Sequence, residues 1–229
     1  IALIGANGAG KTTVFNVITG FYEPTAGRVL FKGMDISGKS PHEICSLGIA
    51  RTFQNIRLFG NETVLQNVMV ACNVRMPVRW WEPPLSLPLT RSKERTIRSK
   101  AMDLLKKVGL EHLADEIATS LPYGQQRRLE IARALATDPE LLLLDEPAAG
   151  MNPKETHALM DFIRAIRDLF GLTIMLIEHD MRVVMGICEH IWLLDYGLLI
   201  AEGPPSFIQS NKRVIEAYLG EEYARYVDN

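Results

Sequence analysis

Apolar positions along the chain follow two patterns, short continuous runs and stripes that recur every three or four residues. The runs at 1–4, 141–144 and 173–177 predict buried strands, because they are too short for helices. The stripe over 154–170 predicts a helix that ends at Gly171. Since such strands and helices alternate, the pattern predicts an α/β fold built on a mostly parallel sheet.

The same patterns predict the remaining elements. We expect strands at 28–32, 49–53, 190–195 and 198–202, and helices at 12–19, 62–73, 94–108, 125–136 and near 180–187. The last two strands, separated by Tyr196 and Gly197, predict a hairpin at the sheet edge. Residues 76–92 contain four prolines and are not expected to form one regular element. The residues expected to face inward from the helix over 154–170 are Leu159, Phe162, Ile163, Ile166 and Leu169.

A continuous helical pattern over 62–137 interrupts the alternation of strands and helices. It predicts a helical lobe inserted into an α/β core, which covers 1–61 and 138–204 and is followed by a helical tail over 205–229. The chain begins inside an apolar run and without methionine, so we expect its natural N-terminal segment to precede Ile1.

Composition and charge exclude several classes of protein. The 25 Lys and Arg residues against 27 Asp and Glu residues give a net charge of −2, which disfavours a protein that coats nucleic acid. No apolar run approaches the roughly 18 residues that indicate a membrane span. The three cysteines are scattered, so ordinary buried thiols are favoured over disulfides or a zinc site.

A glycine-rich turn joins the first predicted strand to the first predicted helix. Residues 5–12 match the pattern G-x-x-x-x-G-K-[ST] in full. In this pattern backbone N–H groups surround phosphate oxygens, Lys11 reaches the outer phosphates and Thr12 offers a hydroxyl to Mg²⁺. The turn therefore predicts a nucleoside triphosphate site. The predicted phosphate-binding residues are Gly5, Ala6, Asn7, Gly8, Ala9, Gly10, Lys11, Thr12 and Thr13.

Two carboxylates follow the apolar strand at 141–144. Ligands gather at the carboxyl ends of parallel strands, which is where Asp145 and Glu146 are expected. We predict that Asp145 holds Mg²⁺ and that Glu146 takes a proton from the attacking water. His179 follows another apolar strand, and Gln54 follows the strand at 49–53; each residue alone is a weak signal.

The segment Leu121-Pro122-Tyr123-Gly124-Gln125 opens the helix predicted at 125–136, and its free N–H groups favour an anion. With this segment the chain resembles the ATP-binding cassette family, whose motifs occur in the same order: phosphate loop, glutamine loop, signature, acidic strand, D-loop and histidine switch. Within the family, the segments at 51–54, 123–133, 148–153 and 214–220 look most like the LivG-type ATPases of branched-chain amino acid importers.

The resemblance implies roles for matching residues. Glu146, His179 and Gln54 would be catalytic, and Gln54 would join Thr12 and Asp145 as a ligand of Mg²⁺. It also implies a head-to-tail dimer in which the signature of one subunit contacts the ATP of the other. The signature residues with this implied role are Leu121, Tyr123, Gly124 and Gln125.

The chain departs from the family pattern at three places. Pro122 and Tyr123 replace the serine and first glycine of the signature, which removes a hydroxyl expected near the partner's γ-phosphate. Asn152 occupies the D-loop aspartate position. The aromatic residue that stacks on adenine in this family would lie before Ile1.

We therefore predict an N-terminally truncated ATP-binding cassette ATPase that powers an importer for branched-chain amino acids. Its expected partners are permease subunits, a second ATPase subunit in a homodimer or heterodimer and, indirectly, a substrate-binding protein, but no nucleic acid. We expect it at the cytoplasmic face of the cell membrane. The alternatives are a related exporter ATPase of the lipopolysaccharide-export type, a nucleic-acid-associated cassette ATPase, and a P-loop kinase or GTPase.

Trp80 and Trp81 lie in the proline-rich segment and have two interpretations. They either contact a membrane subunit or form an aromatic cluster that covers the helical lobe, and the second is favoured because tryptophan is mostly buried.

Overall fold

Strands and helices alternate through the chain in the computed structural model, which describes residues 1–74 and 88–211, with the backbone alone for 88–91. Trp80, Trp81 and the tail beyond 211 lie outside the described residues. The strands are β1 (Ala2–Gly5), β2 (Leu30–Phe31), β3 (Met34–Asp35), β4 (Ile49–Arg51), β5 (Leu141–Asp145), β6 (Thr173–Ile177), β7 (Ile191–Asp195) and β8 (Leu198–Gly203). The helices are α1 (Lys11–Ile18), α2 (Pro41–Leu47), α3 (Val64–Cys72), α4 (Pro88–Val108), α5 (Tyr123–Leu135), α6 (Pro153–Phe170), α7 (Met181–Ile187) and α8 (Pro205–Ser210).

The chain divides into two compact units, of which the first contains residues 1–44 and those from 143 onward. Its sheet has the strand order β5-β6-β1-β7-β8. β1 pairs in parallel with β6 and β7, and β8 pairs antiparallel with β7 at the edge, as the sequence predicts. Glu146 N donates to Ile177 O at 2.9 Å, so β5 and β6 end side by side. The residues that follow these strands therefore share one edge.

The second unit contains residues 45–142. β4 lies beside the start of β5, where Gly48 O accepts from Glu140 N and Leu141 N at 2.8 and 3.0 Å. Helix α3 packs against α4 and α5. Five apolar residues spaced along one side of α4 are buried, as is typical of an amphipathic helix: Ile97, Ala101, Leu104, Leu105 and Val108.

Local signals explain where α6 begins and ends. Asn152 Oδ1 accepts from Glu155 N while the Glu155 carboxylate accepts from Asn152 N, which is a capping box. Pro153 occupies the first turn, where its missing N–H costs nothing. Gly171 ends the helix with φ of 62°, a conformation that glycine adopts without strain. The cap of α6 therefore accounts for an asparagine at position 152, independently of any role in the D-loop.

Two predictions about elements are wrong, and two short elements were missed. The helix predicted at 94–108 begins earlier, at Pro88, because Pro88 stands at the first helical position and proline is accepted there. Leu169 is 55% exposed rather than buried, because it lies in the last turn of α6 beyond the packed stripe. The short elements β3 and α2 were not predicted, since each is too brief to show a period.

No helix within 1–74 and 88–211 combines the length and apolar character that a membrane crossing requires.

Candidate functional site

The phosphate loop lies between β1 and α1 in the first unit. A Cβ at Gly5 would lie 2.3 Å from Leu194 O, so only glycine allows β7 to approach the end of β1 this closely. Gly8 and Gly10 have φ of 83° and 98°, the left-handed region in which glycine turns the loop. Ala9 O accepts from Gly197 N at 3.0 Å and anchors the loop to the β7–β8 turn. The tight turn predicted for residues 5–12 is present.

Lys11 is the first residue of α1 and is 8% exposed. Its Nζ donates to Gly5 O at 2.7 Å and to Ala6 O at 3.0 Å, which holds the ammonium against the loop. Burial lowers the pKa of Lys11, and the carboxylates of Glu146 and Asp145 oppose this shift. Thr12 and Thr13 follow on the exposed start of the helix.

The acidic residues end β5 at the same edge of the sheet. Asp145 is buried, whereas Glu146 is partly exposed. Glu146 has a positive φ of 46°, a conformation that costs energy for a side chain with a Cβ and is frequent at functional sites. The hydrogen bond from its backbone N–H to Ile177 holds this turn in place. The structure thus brings Lys11, Asp145 and Glu146 together.

His179 follows β6 and faces Glu146. Its Nδ1 lies 3.8 Å from Glu146 Oε2, which exceeds hydrogen-bond length. The side chains of His179 and Glu146 are 55% and 21% exposed, so solvent reaches both. This arrangement suits a reaction in which water or a phosphate oxygen meets both groups.

The donor set at this edge fits Mg²⁺ that is held largely by phosphates. Among the described residues no group of three or more His, Cys, Asp or Glu side chains could hold a metal ion. Mg²⁺ in nucleotide sites is bound by one or two carboxylates, a hydroxyl and phosphate oxygens, with water completing the shell. Asp145 and Thr12 offer a carboxylate and a hydroxyl of this kind.

Glu178 is a residue of this edge that sequence reasoning missed. It is 1% exposed, and its Oε1 accepts from Ala148 N at 2.8 Å while Oε2 accepts from His179 N at 3.2 Å. One carboxylate therefore joins the loop after β5 to the loop after β6. Burial raises the pKa of Glu178, and the hydrogen bonds from backbone N–H groups oppose the shift. A charged residue at the end of an apolar strand was the available signal.

In the second unit, Gln54 lies in the loop after β4 and is exposed. Its backbone is held by Arg127 on α5, whose Nη2 donates to Gln54 O and whose Nη1 donates to Phe53 O, each at 2.8 Å. Nη1 also donates to Glu130 Oε2 at 2.7 Å in a buried ion pair. Burial raises the pKa of Glu130, and the Arg127 guanidinium opposes this shift. Sequence reasoning missed this pair, because both residues look like ordinary polar positions of a helix.

The signature segment forms the start of α5. Leu121 is buried, Pro122 is the N-cap, and Tyr123 is 41% exposed. The Tyr123 hydroxyl accepts from Arg127 Nη2 at 3.2 Å, so the signature and the glutamine loop share one guanidinium. A Cβ at Gly124 would meet nothing within 4 Å, and the backbone there is helical. Nothing in the described residues therefore requires glycine at this position.

Comparisons with known proteins agree with this geometry. A family model described as "ABC transporter" matches residues 1–149, and one described as "Branched-chain amino acid ATP-binding cassette transporter" matches residues 199–224. The chain is 46% identical over 221 residues to the high-affinity branched-chain amino acid transport ATP-binding protein LivG of Escherichia coli strain K12, covering 96% of this chain and 87% of LivG.

Two solved structures are similar over most of the chain. A crystal structure of the ADP conformation of an ATP-binding cassette of an ABC transporter superposes with a TM-score of 0.81 at 34% identity, covering 96% of this chain and 88% of that one. A dimeric ATP-binding cassette in a post-hydrolysis state, bound to ADP and Pi, superposes with a TM-score of 0.71 at 26% identity, covering 89% and 84%.

Proposed function

Because the chain belongs to the ABC transporter family, we propose that it is the ATP-hydrolysing subunit of a membrane importer for branched-chain amino acids. The family match and the phosphate loop together make it an ATPase coupled to transport. The observation that carries the cargo class is the 46% identity to LivG over nearly the whole chain. The family match at 199–224 supports the same class.

The residues of the first unit have distinct roles in the proposed reaction. The loop of residues 5–13 binds the phosphates, with Lys11 at the outer ones. Mg²⁺, held by Thr12 and Asp145, would neutralise charge on the phosphate oxygens. Water attacks the γ-phosphorus, the bond to the β–γ bridging oxygen breaks, and ADP leaves. Glu146 accepts the proton of the attacking water, and His179 donates a hydrogen bond at the γ-phosphate.

Gln54 has a proposed role of its own, which rests on the family resemblance. Its side-chain amide offers one carbonyl oxygen and one NH₂ group. The oxygen is a suitable ligand for Mg²⁺, and either group can orient the attacking water. The exposure of Gln54 is compatible with this role, because a ligand can reach an exposed residue.

The proposed active form is a head-to-tail dimer with a second ATPase subunit. Leu121, Tyr123, Gly124 and Gln125 would then contact the ATP held by the partner subunit. Gly124 supports this proposal, because its missing side chain leaves open space that its own unit does not use. A helix start without side-chain bulk lets N–H groups approach a phosphate. The dimeric relative bound to ADP and Pi is consistent with such an assembly.

Permease subunits are the proposed membrane partners, with a substrate-binding protein acting indirectly. The protein would then be peripheral, at the cytoplasmic face of the cell membrane. No role in nucleic-acid binding is proposed, in keeping with the net charge of −2.

Reconstitution tests this function. The ATPase is purified with its permease subunits, placed in lipid vesicles and given a substrate-binding protein loaded with labelled leucine. We expect ATP-dependent uptake that unlabelled isoleucine and valine reduce and that Glu146→Gln abolishes. Uptake that other amino acids reduce equally would overturn the cargo class, and ATP-dependent movement in the opposite direction would indicate an exporter.

A further inference from the structure

We propose that Arg127 is a positioning residue for ATP hydrolysis, which acts by fixing the backbone of Phe53 and Gln54. The proposal rests on the proposed function of Gln54, whose side chain can hold metal and water productively only if its backbone is held still. In this proposal Arg127 does not itself contact the nucleotide or Mg²⁺. It acts through the loop.

The bonds of Arg127 are directed at the backbone rather than at side chains of the loop. Its two terminal nitrogens donate to consecutive carbonyls, Phe53 O and Gln54 O, both at 2.8 Å. The planar guanidinium holds these donors in a fixed fork, so it determines the direction of both peptide groups. Arg127 has no exposed surface, which keeps water from competing for the carbonyls.

Glu130 contacts the same loop further along the chain, and we call Arg127 and Glu130 together the clamp. One carboxylate oxygen pairs with Arg127 Nη1 at 2.7 Å, and the other accepts from Arg57 N at 3.2 Å. The ion pair thus holds the loop by carbonyls at residues 53 and 54 and by an N–H at residue 57. The loop is fixed on both sides of Gln54 by two side chains one helical turn apart.

Tyr123 connects the clamp to the signature segment. Its hydroxyl accepts from Arg127 Nη2, the nitrogen that also donates to Gln54 O, and the guanidinium carbon lies 5.9 Å from the ring centroid. Tyr123 is the residue that replaces the first glycine of the family signature. The substitution therefore supplies an oxygen that orients Arg127, a contact that glycine cannot make.

Arg127→Lys tests the proposal, because lysine keeps the positive charge beside Glu130 but lacks the fork. In the full ATPase assembled with its permease subunits, we expect kcat to fall by roughly 10–100-fold, the usual effect of losing a residue that orients a ligand. The Mg²⁺ concentration for half-maximal activity should rise. KM for ATP should stay within about twofold, because the phosphate loop is untouched.

Arg164→Lys is the matched control. Arg164 also pairs with a carboxylate three residues away, Asp161, and donates to a backbone carbonyl, Gly186 O, but these contacts lie on α6 and α7. We expect its kcat and Mg²⁺ requirement to equal those of the wild type. A loss of kcat in Arg164→Lys as large as in Arg127→Lys would overturn the proposal, since any buried or half-buried arginine would then give the effect.

A double variant separates positioning from general stabilisation. If Arg127 acts through Gln54, then Arg127→Lys should add little to the loss caused by Gln54→Ala. Full additivity of the two losses would overturn the proposal. So would a lowered melting temperature of Arg127→Lys with unchanged kcat and Mg²⁺ requirement. A Gln54→Ala variant with wild-type kinetics would instead contradict the proposed function of Gln54, whatever Arg127→Lys does.

Tyr123→Phe gives a second route if Arg127→Lys does not fold. It removes one oxygen and keeps the ring beside the guanidinium. We expect a smaller fall in kcat in the same direction, which is again not additive with Gln54→Ala. An unchanged Mg²⁺ requirement in Tyr123→Phe would overturn the inclusion of Tyr123 in the clamp.

Discussion

The two units hold their loops with buried side chains of opposite charge. In the first unit, Glu178 accepts hydrogen bonds from backbone N–H groups of Ala148 and His179. In the second unit, Arg127 donates to the carbonyls of Phe53 and Gln54 and pairs with Glu130. Each side chain contacts the backbone of a residue with a proposed function, which is His179 for Glu178 and Gln54 for Arg127. Both side chains are almost completely buried.

The difference lies in how each charge is compensated. Glu178 is held by backbone dipoles, and burial raises its pKa. Arg127 has a carboxylate partner that is itself buried. Removing a charge that is held by N–H groups leaves N–H donors without acceptors. Removing one member of an ion pair leaves a full charge buried without a counter-charge, which costs more. Replacing Glu178 and replacing Arg127 should therefore differ more in the loss of stability than in the displacement of the loops.

The largest expected effect concerns the chemistry assigned to the first unit. Glu146→Gln removes the proton acceptor and keeps the shape, so turnover should fall by roughly 10²–10⁴. Nucleotide affinity should persist, because Lys11 and the phosphate loop are unchanged. Single-turnover hydrolysis and equilibrium nucleotide binding measure the two quantities. Glu140→Gln makes the same change just before the other end of β5 and should hydrolyse ATP normally; a wild-type rate in Glu146→Gln would remove Glu146 from this role.

The second prediction tests the cost of an unpaired charge in the second unit. Arg127→Met leaves Glu130 buried without its partner, which should lower the free energy of unfolding by about 3–5 kcal/mol. Chemical denaturation measures this value. The double variant with Met at 127 and Leu at 130 should recover much of the loss, because both charges are gone, yet turnover should stay low. Equal stability of Arg127→Met and the double variant would contradict the ion-pair account.

The third prediction concerns Gly124, where the second unit should meet a partner rather than its own chain. Gly124→Asp fills open space on the monomer, so the fold and binding of ATP to its own phosphate loop should persist. A like charge facing the partner's phosphates costs several kcal/mol, so ATP-driven dimerisation should weaken by roughly 10²–10³-fold. Sedimentation in the presence of ATP measures it.

Gly124→Asn adds a side chain of nearly the same size as Gly124→Asp but without charge. Comparing the two variants separates the effect of added volume from the effect of added charge. We expect a weaker effect for Asn than for Asp. Equal loss in both variants would attribute the effect to bulk, and normal dimerisation of Gly124→Asp would remove the proposal that the signature contacts the partner's ATP.

The smallest expected effect concerns Glu178. Glu178→Gln keeps one oxygen acceptor but turns an NH₂ group toward a backbone N–H, which should cost about 1–2 kcal/mol of stability. The raised pKa gives this cost a pH dependence. The contribution of Glu178 is fully present below its unfolded pKa near 4.5 and is lost as pH rises through the higher folded value.

Melting temperatures therefore test the sign of the shift. The advantage of the wild type over Glu178→Gln should be larger at about pH 5 than at about pH 8. An advantage that grows with pH would show that the N–H donors, not burial, control the pKa of Glu178. Because its carboxylate holds His179 N, turnover should fall in this variant as well.

Sequence patterns predicted most elements because burial imposes a period on long segments. The apolar run at 173–177 predicted β6, and the apolar stripe over 154–170 together with Gly171 predicted α6. The errors fall where the period is weak. The start of α4 at Pro88 has no apolar period to mark it, and Leu169 belongs to the apolar pattern of α6 but is exposed. β3 is two residues long and has no pattern of its own.

The sequence by itself determined the family and predicted the phosphate loop and the acidic strand end, because fixed residue types at fixed spacings are typical of that chemistry. Only the tertiary structure decided that Glu178 would reach Ala148, 30 residues away, and that Arg127 would reach Phe53, 74 residues away. The reason is physical: every residue carries a backbone carbonyl and nearly every residue an N–H, so these acceptors and donors leave no mark in the sequence. Which of them a buried charge meets depends on how the strands and helices pack.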